Sequence, residues 1–112
     1  MVTSDQIQLL ADQLARECRP ERIILFGSHA NGVPKPHSDV DLLVSMRFED
    51  NALNEAARIL RILKPPFAVD LILHRPEQIQ QRLEWGDPFI EEAVERGRVL
   101  YAEVAPRDQA KE

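Results

Sequence analysis

Gly27-Ser28 closes one apolar run, and ten residues on Ser38-Asp39-Val40-Asp41-Leu42-Leu43-Val44 opens the next with two carboxylates. No other feature constrains the chain as strongly. Residues two apart on a strand point to one face, so Asp39 and Asp41 are expected side by side. Leu42, Leu43 and Val44 read as a buried strand. Two acids at the mouth of a buried strand repel each other and resist burial unless a cation lies between them. Hard oxygen ligands favour Mg²⁺ or Mn²⁺ over zinc. A Gly-Ser turn beside such an ion points to a nucleoside triphosphate carried by the metal. Alone, the turn is an ordinary chain reversal and the Asp-x-Asp a solvated strand end; together they are far more specific.

The flanking pattern says what kind of scaffold holds these residues. Thr3-Ser4-Asp5 offers N-cap groups, and Ile7, Leu10, Ala11 and Leu14 repeat at helical spacing up to about Cys18, before Pro20. Ile23-Ile24-Leu25-Phe26 reads as a short buried strand. His29 to His37 is a loop or a short helical turn, with Gly32, Pro34 and Pro36. A second strand follows from Asp39 to Ser45. Asn51 to Leu63 is predicted helical, with Leu53, Ala56, Ala57, Leu60 and Leu63 on one face, ended by Pro65-Pro66. Phe67 to Leu73 is a third strand. A helical stretch runs from Pro76 to about Leu83. Asp87-Pro88 starts another that presents Phe89, Ile90, Ala93 and Val94 and stops at Gly97. Val99-Leu100-Tyr101 is a candidate final strand. The order predicts a small α/β (α+β) domain over residues 1–104, with helices against one side of a mixed sheet. Its first two strands are predicted antiparallel, and a polar, disordered tail is predicted over 105–112.

Asp70 is the third acid of interest. It interrupts Ala68-Val69-Asp70-Leu71-Ile72-Leu73, where an unpaired carboxylate is expensive. A structural partner such as Arg22 or Arg61 would explain it. If the third strand lies beside the second, Asp70 instead joins Asp39 and Asp41, and three carboxylates suit two-metal phosphoryl transfer.

Composition narrows the class. The chain of 112 residues is long enough for one modest core. Its net charge of −5 argues against a general nucleic-acid binder but not against one nucleotide, because bound Mg²⁺ reverses the local sign. The lone Cys18 cannot form an internal disulfide and reads as a packing residue in a reducing setting. Neither a signal peptide nor a membrane-length apolar run is apparent, so a soluble, cytoplasmic protein is expected.

Gly27-Ser28, Gly32, Ser38-Asp39-Val40-Asp41-Leu42-Leu43-Val44 and a later Asp70 together resemble the nucleotidyltransferase superfamily related to DNA polymerase beta. At this size the chain is similar to its minimal nucleotidyltransferases, over roughly residues 5 to 101. The resemblance implies that Gly27 and Ser28 hold the β- and γ-phosphates of ATP, and that Asp39 and Asp41 bind two Mg²⁺ ions. It also implies that Asp70 ligates the catalytic ion and orients or deprotonates the acceptor hydroxyl. Ser38 is expected to cap the loop. One position departs from the family: Ala30-Asn31-Gly32 stands where Ala-Arg-Gly is frequent, and Asn31 cannot neutralise phosphate. Lys35, His29 and His37 read as polar loop residues.

Minimal nucleotidyltransferases are commonly paired with a HEPN-domain protein, several pairs acting as toxin and antitoxin. The resemblance therefore implies an antitoxin that transfers AMP to a hydroxyl, a tyrosine for preference, of a HEPN-type ribonuclease toxin, in a hetero-oligomer. Two alternatives stay open. One is a non-catalytic antitoxin acting by occlusion, which Asn31 keeps in play. The other is a small-molecule nucleotidyltransferase that needs a separate substrate-binding subunit. Trp85, the only tryptophan, reads as a partly buried helix-junction residue or a partner anchor.

Overall fold

A computed structural model describes residues 1–103, so the tail predicted over 105–112 lies outside the described residues. The elements in chain order are α1 (Ser4–Cys18), β1 (Arg22–Phe26), α2 (Ser28–Asn31), β2 (Val40–Ser45), α3 (Ala52–Leu63), β3 (Val69–His74), α4 (Pro76–Glu84), α5 (Pro88–Arg96) and β4 (Arg98–Ala102). They build one four-stranded mixed sheet in the order β3-β2-β1-β4. β1 runs antiparallel to both β2 and β4, and β2 runs parallel to β3. This is the mixed α/β architecture expected from the sequence.

Local chemistry explains the boundaries. Thr3 closes a capping box at α1: Gln6 N donates to Thr3 Oγ1 at 3.1 Å, and Thr3 N donates to Gln6 Oε1 at 2.8 Å. Arg19 and Lys64, each at φ 48°, end α1 and α3 in the left-handed region, and prolines follow both. Asp87 caps α5 by accepting from Phe89 N and Ile90 N.

The core corrects three expectations. Helices cover both faces of the sheet, not one. Ile7, Leu10 and Leu14 of α1 and Ile59 and Leu63 of α3 pack on Ile23, Leu25, Leu42 and Val44. Ile79 of α4 and Ile90 and Ala93 of α5 pack on Ile24 and Leu43. The reason is visible in Ile23-Ile24-Leu25-Phe26 and Leu42-Leu43-Val44: a continuous apolar run, unlike an alternating one, belongs to a strand buried on both faces. In α3 the inward face is Ala56, Ile59 and Leu63, while Leu53 is 84% exposed. Ile59 lies in the same buried cluster as Leu71 and Leu73 of β3. Last, β3 starts at Val69 instead of Phe67, because its ladder with β2 begins at the Val40–Val69 pair.

Candidate active site

The site forms at one end of the sheet, where β1 finishes and β2 and β3 begin. Phe26 is the register partner of Asp41 across the antiparallel ladder, and Asp41 is the partner of Asp70 across the parallel one. Register partners on neighbouring strands point the same way. Phe26, Asp41 and Asp70 therefore form one row on the α4/α5 face, so the condition for Asp70 to join the other acids, adjacency of β3 and β2, is met. The ion pairs among the described residues are Arg47–Glu77, Arg58–Glu55 and Arg82–Asp87, so Asp70 has neither Arg22 nor Arg61 as a partner. It is exposed, which corrects the expectation that a carboxylate at this point of the strand must be paired to offset burial.

Asp39 sits differently from the expectation. It is a loop residue immediately ahead of β2, so strand alternation does not set its direction. It is nonetheless close enough to act on Asp41. Partial burial pushes the Asp41 carboxyl above its ordinary range, the charge of Asp70 adds to this, and that of Asp39 adds further; His29 opposes them. The ladder neighbour Asp70 thus perturbs Asp41 more than the sequence neighbour Asp39 does. A carboxylate held this way is favoured by a cation in front of it.

Among the described residues, no three His, Cys, Asp or Glu side chains converge into a ready-made metal shell. Mg²⁺ does not require one. It commonly binds through one or two carboxylates, with water and substrate phosphate completing the octahedron. An all-oxygen set whose central member is destabilised by its neighbours fits that class of ion, and Asp41 with Asp70 or Asp39 could hold it.

Gly27 brings the backbone against these acids. Its φ of 77° and ψ of −157° lie where side chains are rarely tolerated, and a Cβ there would run into the Asp41 carboxylate. The chain then turns into α2, with Ala30 N and Asn31 N both donating to Gly27 O at 3.0 Å. Gly32 packs closely on Ser28, where an added Cβ would lie 3.2 Å from Ser28 Cα. The loop to β2 is pinned twice. Lys35 N donates to Ser38 Oγ at 2.9 Å, so Ser38 caps the loop as expected. His29 Nε2 lies 3.2 Å from Ser38 O.

His29 is thus more than a loop residue: it ties the Gly27-Ser28 turn to the segment carrying Asp39. Nothing in its sequence context separates it from His37. Phe89 belongs to the apolar pattern of its helix, yet it stands 45% exposed against Phe26. Trp85 is 70% exposed at the end of α4, which corrects the partly buried reading. A cavity of about 470 Å³ beside His37, Ser38 and Ala68 opens on the α1 side, whereas Asp41 and Asp70 project to the other face. The acids therefore sit on an open sheet end and not inside that cavity.

The family model described as Nucleotidyltransferase domain matches residues 7–110. The chain is 32% identical over 84 residues to the "Putative protein adenylyltransferase MJ0604" of Methanocaldococcus jannaschii, a match that spans 74% of this chain and 80% of that protein. A crystal structure of a toxin-antitoxin with AMP-PNP superposes with a TM-score of 0.51 at 22% identity, covering 93% of this chain and 78% of that one. A structure of the toxin-antitoxin MntA-HpeT bearing two aspartate-to-glutamate substitutions gives a TM-score of 0.52 at 22% identity and the same coverage. At that identity both comparisons speak for the fold.

Proposed function

The chain belongs to the nucleotidyltransferase-domain family and is a nucleotidyltransferase; from that premise we propose that it is a Mg²⁺-dependent protein adenylyltransferase, the antitoxin of a toxin–antitoxin pair. Its substrate on this reading is a hydroxyl, a tyrosine for preference, of a HEPN-type ribonuclease toxin, and its donor is ATP. The observation that carries the reading is the pairing of Asp41 with Asp70 in one row beside the side-chain-free backbone of Gly27. The adenylyltransferase name of the archaeal relative supports the reaction, and the toxin-antitoxin neighbour with AMP-PNP supports the setting.

Each residue has its own task. Gly27 admits the phosphates to close range, and the Ser28 hydroxyl donates to a phosphate oxygen. Asp39 and Asp41 would hold the two Mg²⁺ ions, with Asp70 sharing the catalytic one. The ions supply charge neutralisation at the phosphates when bound. Asp70 accepts the proton of the acceptor hydroxyl. That oxygen forms a bond to the α-phosphorus as the bond from the α-phosphorus to the bridging oxygen breaks, and pyrophosphate leaves with the electron pair. The toxin gains a bulky negative group, which would repel RNA from its own phosphate-binding surface.

The test is intact-mass analysis of the candidate toxin after incubation with this protein, ATP and Mg²⁺. A gain of one or more AMP units is expected, and it should vanish with the Asp39→Asn/Asp41→Asn double variant. The exposed, uncharged Asn31 favours one other reading, silencing of the toxin by occlusion. In that case the double variant would protect cells as well as the parent does and no mass would be gained.

A further inference from the structure

Phe26 closes β1 immediately before Gly27, and its ring meets that of Phe89 at 87° with centroids 5.3 Å apart. Phe26 is the register partner of Asp41, so the aromatic pair extends the row of Asp41 and Asp70 across the sheet. Phe89 lies in the first turn of α5, where its N–H is held at 3.0 Å by the Asp87 carboxylate. The next residue, Ile90, is fully buried and anchors the turn to Ile24 and Leu43. The Phe89 backbone is thus tied to the cap and to the buried Ile90, yet the residue remains 45% exposed. Leaving that much of a large apolar ring in water forgoes burial that the fold could use, and the ring stands at the end of the sheet where the acids lie.

We propose that Phe89, held in a T-shaped contact with Phe26, is the platform on which the nucleobase of the donor stacks. The inference rests on the reading of Gly27-Ser28, Asp39, Asp41 and Asp70 as a triphosphate site. With the phosphates on the Gly27-Ser28 turn, one side of the site is acidic, toward Asp70, and the other is aromatic, toward Phe26 and Phe89. The heterocycle belongs on the aromatic side. A flat apolar ring accepts the π-face of any base without reading its edge. Affinity at this position therefore follows the stacking area, with purines above pyrimidines and little to choose between ATP and GTP.

Titration calorimetry with Mg²⁺-ATP and with Mg²⁺-tripolyphosphate, which has no base, separates the two contributions. Phe89→Ala should weaken ATP binding about ten- to a hundred-fold, the range that loss of a base–aromatic stack produces, and leave tripolyphosphate binding unchanged. Phe89→Leu keeps apolar bulk against Phe26 and should lose ATP affinity similarly, whereas Phe89→Trp should retain it. Equal weakening of both ligands by Phe89→Ala, or ATP affinity at the parent level in Phe89→Leu, would overturn the platform. The triphosphate reading has its own control: Asp41→Asn should lose both ligands. If Asp41→Asn keeps both, that reading falls, independently of the Phe89 result.

Discussion

At position 27 the proposed site depends on the absence of a side chain. Gly27 occupies a backbone region that is essentially glycine's alone, and the space where its Cβ would stand belongs to the Asp41 carboxylate. Gly27→Ala should therefore cost about 1–3 kcal/mol in backbone strain and also push Asp41 out of line with Asp70, so denaturation midpoint and turnover should fall together. Gly86 separates the two effects. It has the same φ of 77°, but a Cβ added there would meet nothing within 4 Å, so Gly86→Ala should cost roughly 1–2 kcal/mol with turnover kept. Paired urea melts and rate assays decide the point, and a Gly27→Ala protein with parental turnover would contradict it. At this scale the residues of the proposed site that stand out in the sequence are those whose type conflicts with the residues around them: a glycine ending a strand, and acids in apolar runs. His29 and Phe89 carry no such conflict. A histidine in a loop and a phenylalanine in an amphipathic helix look ordinary until the fold sets them against Ser38 and Phe26.

Strands are legible as apolar runs and helices by their period and caps, but the way elements pack is only partly so. The doubly buried β1 and β2 declare their situation in Ile23-Ile24-Leu25-Phe26 and Leu42-Leu43-Val44. The apolar positions of α5, Phe89, Ile90, Ala93 and Val94, are legible in the sequence, but which face of the sheet α4 and α5 cover is not. Which of the apolar positions of α3 face inward, Ala56, Ile59 and Leu63 with Leu53 left exposed, depends on the sheet it packs against, which a helical period alone does not encode. Two predictions belong here. Asp87 accepts from two backbone N–H groups at the start of α5, so Asp87→Ala should cost about 1 kcal/mol in chemical denaturation. His74, at the end of β3, has its pKa lowered by burial and then by the charge of Arg82, against the opposing pull of Asp87 and a hydrogen bond with Gln78. Protons bind the unfolded histidine more readily than the folded one. Stability from this group is therefore present above its ordinary value of 6.5 and lost as pH falls from there through the lowered folded pKa. Between pH 8 and pH 5 the parent should lose more stability than His74→Asn; equal losses would remove His74 from the account.

For the whole molecule, the acidic end of the sheet is a local cost of the fold that a bound ligand would relieve. The chain already carries a net charge of −5, and the partly buried Asp41 has two further carboxylates acting on it. In the free protein that repulsion opposes folding, so Asp41→Asn should raise the melting temperature at neutral pH while lowering turnover. Loss of a metal's supporting hydrogen-bond partner alone costs about 10- to 100-fold, and if Asp41 is a direct ligand, as proposed, its loss should cost at least the upper figure. Binding then couples the site to global stability, since anything that binds only the folded state stabilises it by mass action. On the proposed function, Mg²⁺-ATP at one hundred times its dissociation constant contributes about 2.7 kcal/mol, which for a domain near this size is a rise of roughly 10 °C in melting temperature. Mg²⁺ alone should give a smaller rise, because without phosphate its coordination shell relies on water and one or two carboxylates. Differential scanning calorimetry of parent and Asp41→Asn, each with and without Mg²⁺-ATP, reads both effects at once. The expected pattern is a crossing: the variant melts higher when free, and the parent melts higher when liganded. A variant that is both less stable when free and equally stabilised by Mg²⁺-ATP would mean that Asp41 is a structural acid and that the triphosphate is held elsewhere.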